Sequence, residues 1–245
     1  MANTILQSLK TGRPGKKLAV LIDPDDLQEA HLVKIIPLLR KSEVDVVLVG
    51  GSLLLKDQMD DCLQRLKREL DQPLVLFPGS VVQVSPKADA ILFLSLISGR
   101  NPEFLIGQHV VAAPYVKAAG LEVIPTGYML IDGGRPTTAS YISNAMPIPR
   151  NKAEIAVCTA MAGEMLGLQT IYMDAGSGAD WPVPKEMIRA VSENTKVPLI
   201  VGGGIRDPYK AVEQLKAGAD MIVVGTRIEE NPDSLMELSQ AVHGI

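Results

Sequence analysis

The run Thr170-Ile-Tyr-Met-Asp-Ala-Gly-Ser-Gly-Ala-Asp180 leads, after Trp181 and a polar helical segment, into Pro198-Leu-Ile-Val-Gly-Gly-Gly-Ile205. Both are short apolar stretches that close on glycines, and a third, Asp220-Met-Ile-Val-Val-Gly-Thr226, follows. Glycine at the end of an apolar strand lets backbone N–H groups approach an anion with no side chain in the way. Three such strands in succession point to a phosphate site on a parallel sheet.

The same alternation extends back to the start of the chain. Strands are expected at Lys17–Pro24, Asp45–Ser52, Pro73–Ser80, Ala90–Ser98, Leu121–Met129, Thr170–Asp174, Pro198–Val201 and Asp220–Val224. Helical patterns fall at Leu27–Lys41, Lys56–Leu70, Asn101–Gly120 (interrupted or bent by Pro114), Asn151–Gly167, Pro184–Asn194, Pro208–Ala217 and Pro232–Val242. Only a turn or short helix fits between the third and fourth strands. Eight β/α units predict an α/β fold, a TIM barrel spanning residues 1–245 as one domain with a reduced third helix. A closed barrel also explains why no strand reads as a polar edge. The segment Asp132–Arg150, rich in Gly, Pro, Ser and Thr, is long for a connection and reads as a lid or binding loop.

Composition narrows the function. Hydrophobic residues make up 47% and aromatics 4%, a Val/Ile/Leu/Ala core that suits strands buried on both faces. Net charge is −4 without any block of like charge, so no nucleic-acid partner is expected. No apolar run approaches the ~20 residues of a membrane span, and the first ten residues lack a signal-peptide core, so a cytoplasmic protein is expected, with no stable membrane insertion. Cys62 and Cys158 have neither metal-ligand spacing nor an obvious disulfide role.

In a TIM barrel the site lies at the C-terminal ends of the strands, with phosphate held after strands seven and eight. Gly202, Gly203 and Gly204 occupy the first of these places, Gly225 and Thr226 the second. Asp23 and Ser52 close strands one and two, which puts them close together on one rim. An oxygen-only pair with room for waters suits Mg2+, which usually joins a carboxylate to substrate phosphates. The alternative for Asp23 is an Asp-Pro turn capping the next helix. Asp25 and Asp26 read as helix-start carboxylates.

Tyr172 and Asp174 share one face of strand six and point into the barrel mouth, with Met173 facing the helices. Asp174 is there placed to accept a proton from a substrate hydroxyl; the alternative is a structural carboxylate bonded to Ser177. Ser177 is a poor nucleophile candidate, because His31, His109 and His243 fall in helical segments away from the strand ends. It is expected to donate to phosphate. Arg206 stands next to the glycines, as an anion contact or a solvated helix-start residue.

In order along the chain, Leu21-Ile-Asp-Pro24, Val49-Gly-Gly-Ser52, Tyr172-Met-Asp-Ala-Gly-Ser-Gly178, Val201-Gly-Gly-Gly-Ile205 and Val223-Val-Gly-Thr226 resemble the motifs of the geranylgeranylglyceryl phosphate synthases and the related heptaprenylglyceryl phosphate synthases. The likeness runs from about Leu18 to Glu230. It implies transfer of a geranylgeranyl group from its diphosphate to the 3-hydroxyl of sn-glycerol 1-phosphate. It also implies that Asp23 and Ser52 hold magnesium and the leaving diphosphate. Tyr172, Met173, Asp174, Ala175, Gly176, Ser177 and Gly178, with Gly203, Gly204, Gly225 and Thr226, resemble the glycerol phosphate contacts, and Asp174, with Tyr172, the catalytic pair. Many members carry glutamate at position 174 and asparagine at 226; the polyprenyl variant has lysine where Leu21 stands. The resemblance further implies a homo-oligomer, dimer or hexamer, for which Tyr141 is a candidate contact. Leu94, Leu96, Ile97 and Tyr128 are candidate walls of a prenyl groove, with core packing as the alternative for each. The remaining alternatives are a phosphate-binding barrel isomerase or lyase and a non-catalytic binder of a phosphorylated ligand.

Overall fold

A computed structural model of the protein describes residues 4–11, 15–25, 29–225 and 234–245. Strands β1 (Lys17–Ile22), β2 (Val46–Val49), β3 (Leu74–Leu76), β4 (Ala90–Leu96), β5 (Glu122–Leu130), β6 (Thr170–Asp174), β7 (Leu199–Gly202) and β8 (Met221–Val224) form a closed parallel barrel in sequence order. β8 closes on β1 through Leu18↔Ile222 and Ala19↔Val223. Helices α2 (Glu29–Lys41), α3 (Met59–Glu69), α4 (Gln108–Ala119), α6 (Ala153–Met165), α7 (Lys185–Asn194), α8 (Pro208–Ala217) and α9 (Ser234–His243) are interspersed among the strands.

Strand alternation divides the core into two layers. Ala19, Leu48, Val75, Leu92, Ile124, Tyr172, Ile200 and Val223 pack inside the barrel, whereas Val20, Val47, Leu76, Ile91, Met173, Val201 and Ile222 pack toward the helices. Inside, the Thr170 hydroxyl donates to that of Thr126 at 2.9 Å, which donates in turn to the Ile124 carbonyl at 2.8 Å, as buried polar groups must be paired. The short N-terminal helix α1 (Thr4–Thr11) belongs to the inner layer through Leu6. Its Ile5 and Leu6 N–H groups donate to the Glu122 carboxylate at the start of β5, at 3.0 and 2.8 Å. That carboxylate supplies partners for orphan donors of the helix N-terminus.

The third unit is reduced, as the sequence predicts: between β3 and β4 stands only the 3-10 turn Val81–Gln83. Strand three itself is shorter than expected, because the chain leaves the sheet at Phe77. Pro114 does not interrupt the helix: α4 runs through it unbroken, and an irregularity lies before it, in a π-turn at Glu103–Gly107. The carbonyl that a proline at 114 leaves without its N–H partner is that of Val110, on the exposed side of α4. The Asp132–Arg150 segment holds a further short helix, α5 (Thr138–Ser143), that the sequence reading passes over; Thr137 and Ser140 form its capping box.

Candidate active site

β6 fixes the centre of the site. Its register sets Tyr128 of β5 beside Tyr172 and Gly202 of β7 beside Asp174. Phe77, just past β3, stacks on Tyr172 with centroids 5.2 Å apart, and Tyr128 meets both rings edge-on at 5.8 and 5.5 Å. On this aromatic floor Asp174 accepts hydrogen bonds from the Tyr128 hydroxyl at 2.5 Å and the Gly176 N–H at 2.7 Å. Its partners are therefore Tyr128 and Gly176, not the Ser177 bond of the structural alternative.

Asp174 is 8% exposed. Burying a carboxylate costs several kcal/mol, whereas charge-assisted bonds return about 1.5–3 kcal/mol each. Burial wins: it holds the Asp174 carboxyl above its usual range, with the Tyr128 and Gly176 bonds pulling the other way. Tyr128 is pushed far up by burial first and by the Asp174 charge second, so it remains a donor. Tyr172 is raised well above its ordinary value for the same reasons.

Asp23, Ser52, Tyr172, Asp174, Gly176, Ser177, Gly178, Gly203, Gly204 and Gly225 line one cavity of about 450 Å³. The structure thus brings together most of the residues singled out in the sequence. Met173 and Ala175 do not line it, since their side chains pack toward the helices; Thr226 lies outside the described residues, as does Asp26. The cavity's bare backbone is enforced at Gly203, whose φ is +81°. A side-chain carbon there would stand 2.6 Å from the Gly176 nitrogen and 2.9 Å from Asp174 Oδ1.

At the opposite rim, Asp23 Oδ1 accepts the Asp25 N–H at 2.9 Å, so the turn reading is partly realised. Its Oδ2 faces the Cα of Gly51, where a side-chain carbon would come within 2.5 Å. Ser52 follows directly on the same cavity wall. The donors are hard oxygens, and no group of three or more His, Cys, Asp or Glu side chains is found among the described residues. Such a set fits a magnesium ion completed by water and substrate oxygens. Asp25 is not simply a helix-start carboxylate: it accepts from the Leu55 and Lys56 N–H groups and fastens the chain beyond β2.

A second cavity, largely apolar, begins at Gly51, Ser52, Phe77 and Tyr128, all shared with the first, and runs out between β4, the 3-10 turn and α4. Leu94 and Leu96 line it as expected. Ile97 does not: just past the end of β4, it packs in the outer layer against Gly127 and Gly163. His109 lines this cavity, edge-on to Phe93 of β4 at 4.6 Å, and so lies nearer the sheet than expected. Burial lowers its basicity.

Phe77 escaped the sequence reading as a site residue, and so did two residues of the Asp132–Arg150 segment. Arg135 and Thr137, from the loop after β5, line the polar cavity. Arg135 Nε lies 3.5 Å from Asp180 Oδ1, and one of its guanidinium nitrogens would stand 3.2 Å from a side-chain carbon at Gly178. Arg206, pinned to the Ala179 carbonyl at 3.1 Å, also lines the cavity. The Tyr128 role has a legible signal, an aromatic of matching parity on the neighbouring strand; Arg135 has none.

Comparison with known proteins adds an independent line. Residues 14–243 match the PcrB family. The chain belongs to that family. Its relatives include the geranylgeranylglyceryl phosphate synthase of Chitinophaga pinensis, 56% identical over 93% of this chain and 90% of that protein. The synthase of the same name from Spirosoma linguale is 52% identical over 98% and 96%. Among solved structures, the (S)-3-O-geranylgeranylglyceryl phosphate synthase of Thermoplasma acidophilum, in complex with its substrate sn-glycerol-1-phosphate, superposes with a TM-score of 0.91 at 33% identity, covering 99% of this chain and 98% of that one. The eight-strand barrel is therefore the architecture of this PcrB family member and of its solved relatives alike. No helix among the described residues is long and apolar enough to cross a membrane.

Proposed function

We propose that the protein is a geranylgeranylglyceryl phosphate synthase: it joins the 3-hydroxyl of sn-glycerol 1-phosphate to geranylgeranyl diphosphate in an ether bond and releases diphosphate. One observation carries the reading. A polar cavity with a glycine-walled, arginine-flanked end and an apolar channel meet at Ser52, Phe77 and Tyr128, and the Asp174 carboxylate lies at that junction. A hydrophilic nucleophile and a prenyl chain can approach each other there directly. The names of the relatives support the same substrates.

In this reading the backbone around Gly176–Gly178, Gly203–Gly204 and Gly225, with Arg135 and Arg206, binds and orients the glycerol phosphate. Its 3-hydroxyl lies against Asp174. The new C–O bond forms at C1 of the prenyl chain as the bond to diphosphate breaks, and the hydroxyl proton passes to Asp174. Asp23 and Ser52 would hold magnesium, which supplies positive charge for the departing diphosphate when bound. The Phe77, Tyr128 and Tyr172 rings exclude water from C1, and Leu94 and Leu96 receive the chain.

Pyrophosphate release tests the reaction class. It should require protein, geranylgeranyl diphosphate, sn-glycerol 1-phosphate and magnesium together; an isomerase, lyase or silent binder would release none. Tyr128→Phe tests the site. The hydroxyl bond lowers the Asp174 pKa, so its loss raises it, and the acid limb of the kcat profile should move to higher pH. An acid limb that stays put in this variant would remove Tyr128 from the account.

The same proposal includes assembly into a homo-oligomer. Val110, Val111 and Tyr115 on α4 and Tyr141 and Met146 around α5 are large hydrophobic residues that are more than half exposed, candidates for a surface covered by a second copy. Light scattering should return a multiple of the 26.3 kDa chain mass, and Tyr115→Glu with Tyr141→Glu should shift it toward the monomer. A monomeric wild type would exclude this. Cys62 and Cys158 are unpaired, which suits the reducing cytoplasm.

A further inference from the structure

Gln83 is 1% exposed, in the 3-10 turn that stands where a barrel helix would follow β3. A buried primary amide needs partners for both its ends. Gln83 Nε2 donates to the Gly51 carbonyl at 2.8 Å, while its Oε1 accepts from the Gly79 N–H at 3.2 Å and the Gly51 N–H at 3.4 Å. One side chain thus holds both polar groups of a single residue, Gly51, in the manner of a paired strand, and ties it to the loop after β3.

Gly51 is the residue against which Asp23 Oδ2 rests, and Ser52 is the next in the chain. The loop after β3 backs this segment closely: a side-chain carbon at Gly79 would stand 2.5 Å from the Gly51 carbonyl oxygen and 2.6 Å from that of Ser52. The Gly51 peptide is therefore fixed from behind by Gly79, on one side by Gln83, and in front by the Asp23 carboxylate. Oxygen donors to magnesium must lie within about 2.0–2.1 Å of the ion in near-octahedral array. A peptide rotation at Gly51 would move Ser52 relative to Asp23.

We propose that Gln83 is a positioning residue for the diphosphate end of the site, fixing the Gly51–Ser52 segment in register with Asp23. This assigns a task to the vestigial third unit. A full helix after β3 would fill the channel mouth lined by Ser80, Val81 and Val84; a single 3-10 turn leaves it open and still delivers the amide. The proposal rests on the prenyl-transfer reading of the Asp23–Ser52 rim.

Calorimetric titration of the intact protein separates the two. Wild type, Gln83→Met (similar volume, no amide) and Gln83→Asn (amide retained, one methylene short) are titrated with sodium pyrophosphate in magnesium and, separately, with sn-glycerol 1-phosphate. The expected result is an affinity for magnesium pyrophosphate lowered by about 10- to 100-fold in both variants, the usual range for residues that orient ligands. Glycerol phosphate affinity should stay within about twofold, because the hydrogen bonds of Gln83 go to Gly51 and Gly79 and to none of the glycines or arginines assigned to its cradle. In turnover, KM for the prenyl diphosphate rises with kcat changed less. Pyrophosphate affinity unchanged in both variants would overturn the proposal, and so would a proportionate loss of both ligands, which is what a merely structural glutamine gives. A wild type that binds glycerol phosphate but no magnesium pyrophosphate would instead remove the diphosphate reading on which the proposal stands.

Discussion

Asp174→Asn is expected to lower kcat by about 10²–10⁴-fold, the usual contribution of a positioned general base, and to leave KM for sn-glycerol 1-phosphate nearly unchanged. Asparagine keeps the shape of the carboxylate, and its amide can still exchange hydrogen bonds with Tyr128 and the Gly176 N–H, so binding survives while proton acceptance is lost. The variant should also be more stable than wild type at neutral pH. Burial raises the Asp174 pKa in the folded state. A carboxyl raised in this way contributes stability that is full below its unfolded pKa and lost as pH rises through the folded value. Above the unfolded pKa the wild type therefore loses stability as pH rises, a loss that asparagine, with no proton to release, does not share. Melting temperatures should differ in favour of Asp174→Asn at neutral pH and converge in acid, below the unfolded carboxylate pKa of about 3.9. A variant that is inactive and also less stable at neutral pH would show Asp174 to be a structural carboxylate.

The second large effect is expected at Asp23. Magnesium bound to a leaving diphosphate supplies several kcal/mol of charge stabilisation, and each ~1.36 kcal/mol is tenfold in rate. Asp23→Asn should lower kcat/KM for the prenyl diphosphate by about 10²–10⁴-fold, the equivalent of roughly 3–5 kcal/mol. This substitution discriminates where alanine would not. The introduced amide retains an oxygen to accept the Asp25 N–H, so the turn at the end of β1 persists and only the charge is lost. If Asp23 served the turn alone, Asp23→Asn would be close to wild type. Calorimetry should find sn-glycerol 1-phosphate bound normally in either case.

The fold was legible because its signals are local and repeated. Parallel strands buried on both faces read as apolar runs, and most end in glycine or an aspartate where the chain turns at the rim. The single alternation along β6 places Tyr172 and Asp174 inward and Met173 outward, as the structure bears out. What sequence did not disclose depends on tertiary register. Tyr128 read as a channel wall, but its hydroxyl reaches Asp174 across 46 positions of chain only because β5 and β6 pair at Tyr128↔Tyr172. Arg135 lies in a polar loop whose path over Gly178 follows from the α5 capping box and the Asp180 contact. Gln83 sits in the least helix-like part of the sequence, and nothing in Val81-Val-Gln-Val84 indicates which backbone groups its amide will meet.

The most direct measurement is mass spectrometry of the lipid-extractable product formed from sn-glycerol 1-phosphate and geranylgeranyl diphosphate in magnesium. A parallel reaction contains sn-glycerol 3-phosphate, and another omits the metal. One product is expected, geranylgeranylglyceryl phosphate linked through an ether at the glycerol 3-position, formed from sn-glycerol 1-phosphate and only with magnesium present. Protein that binds sn-glycerol 1-phosphate and yields no prenylated product under these conditions would contradict it.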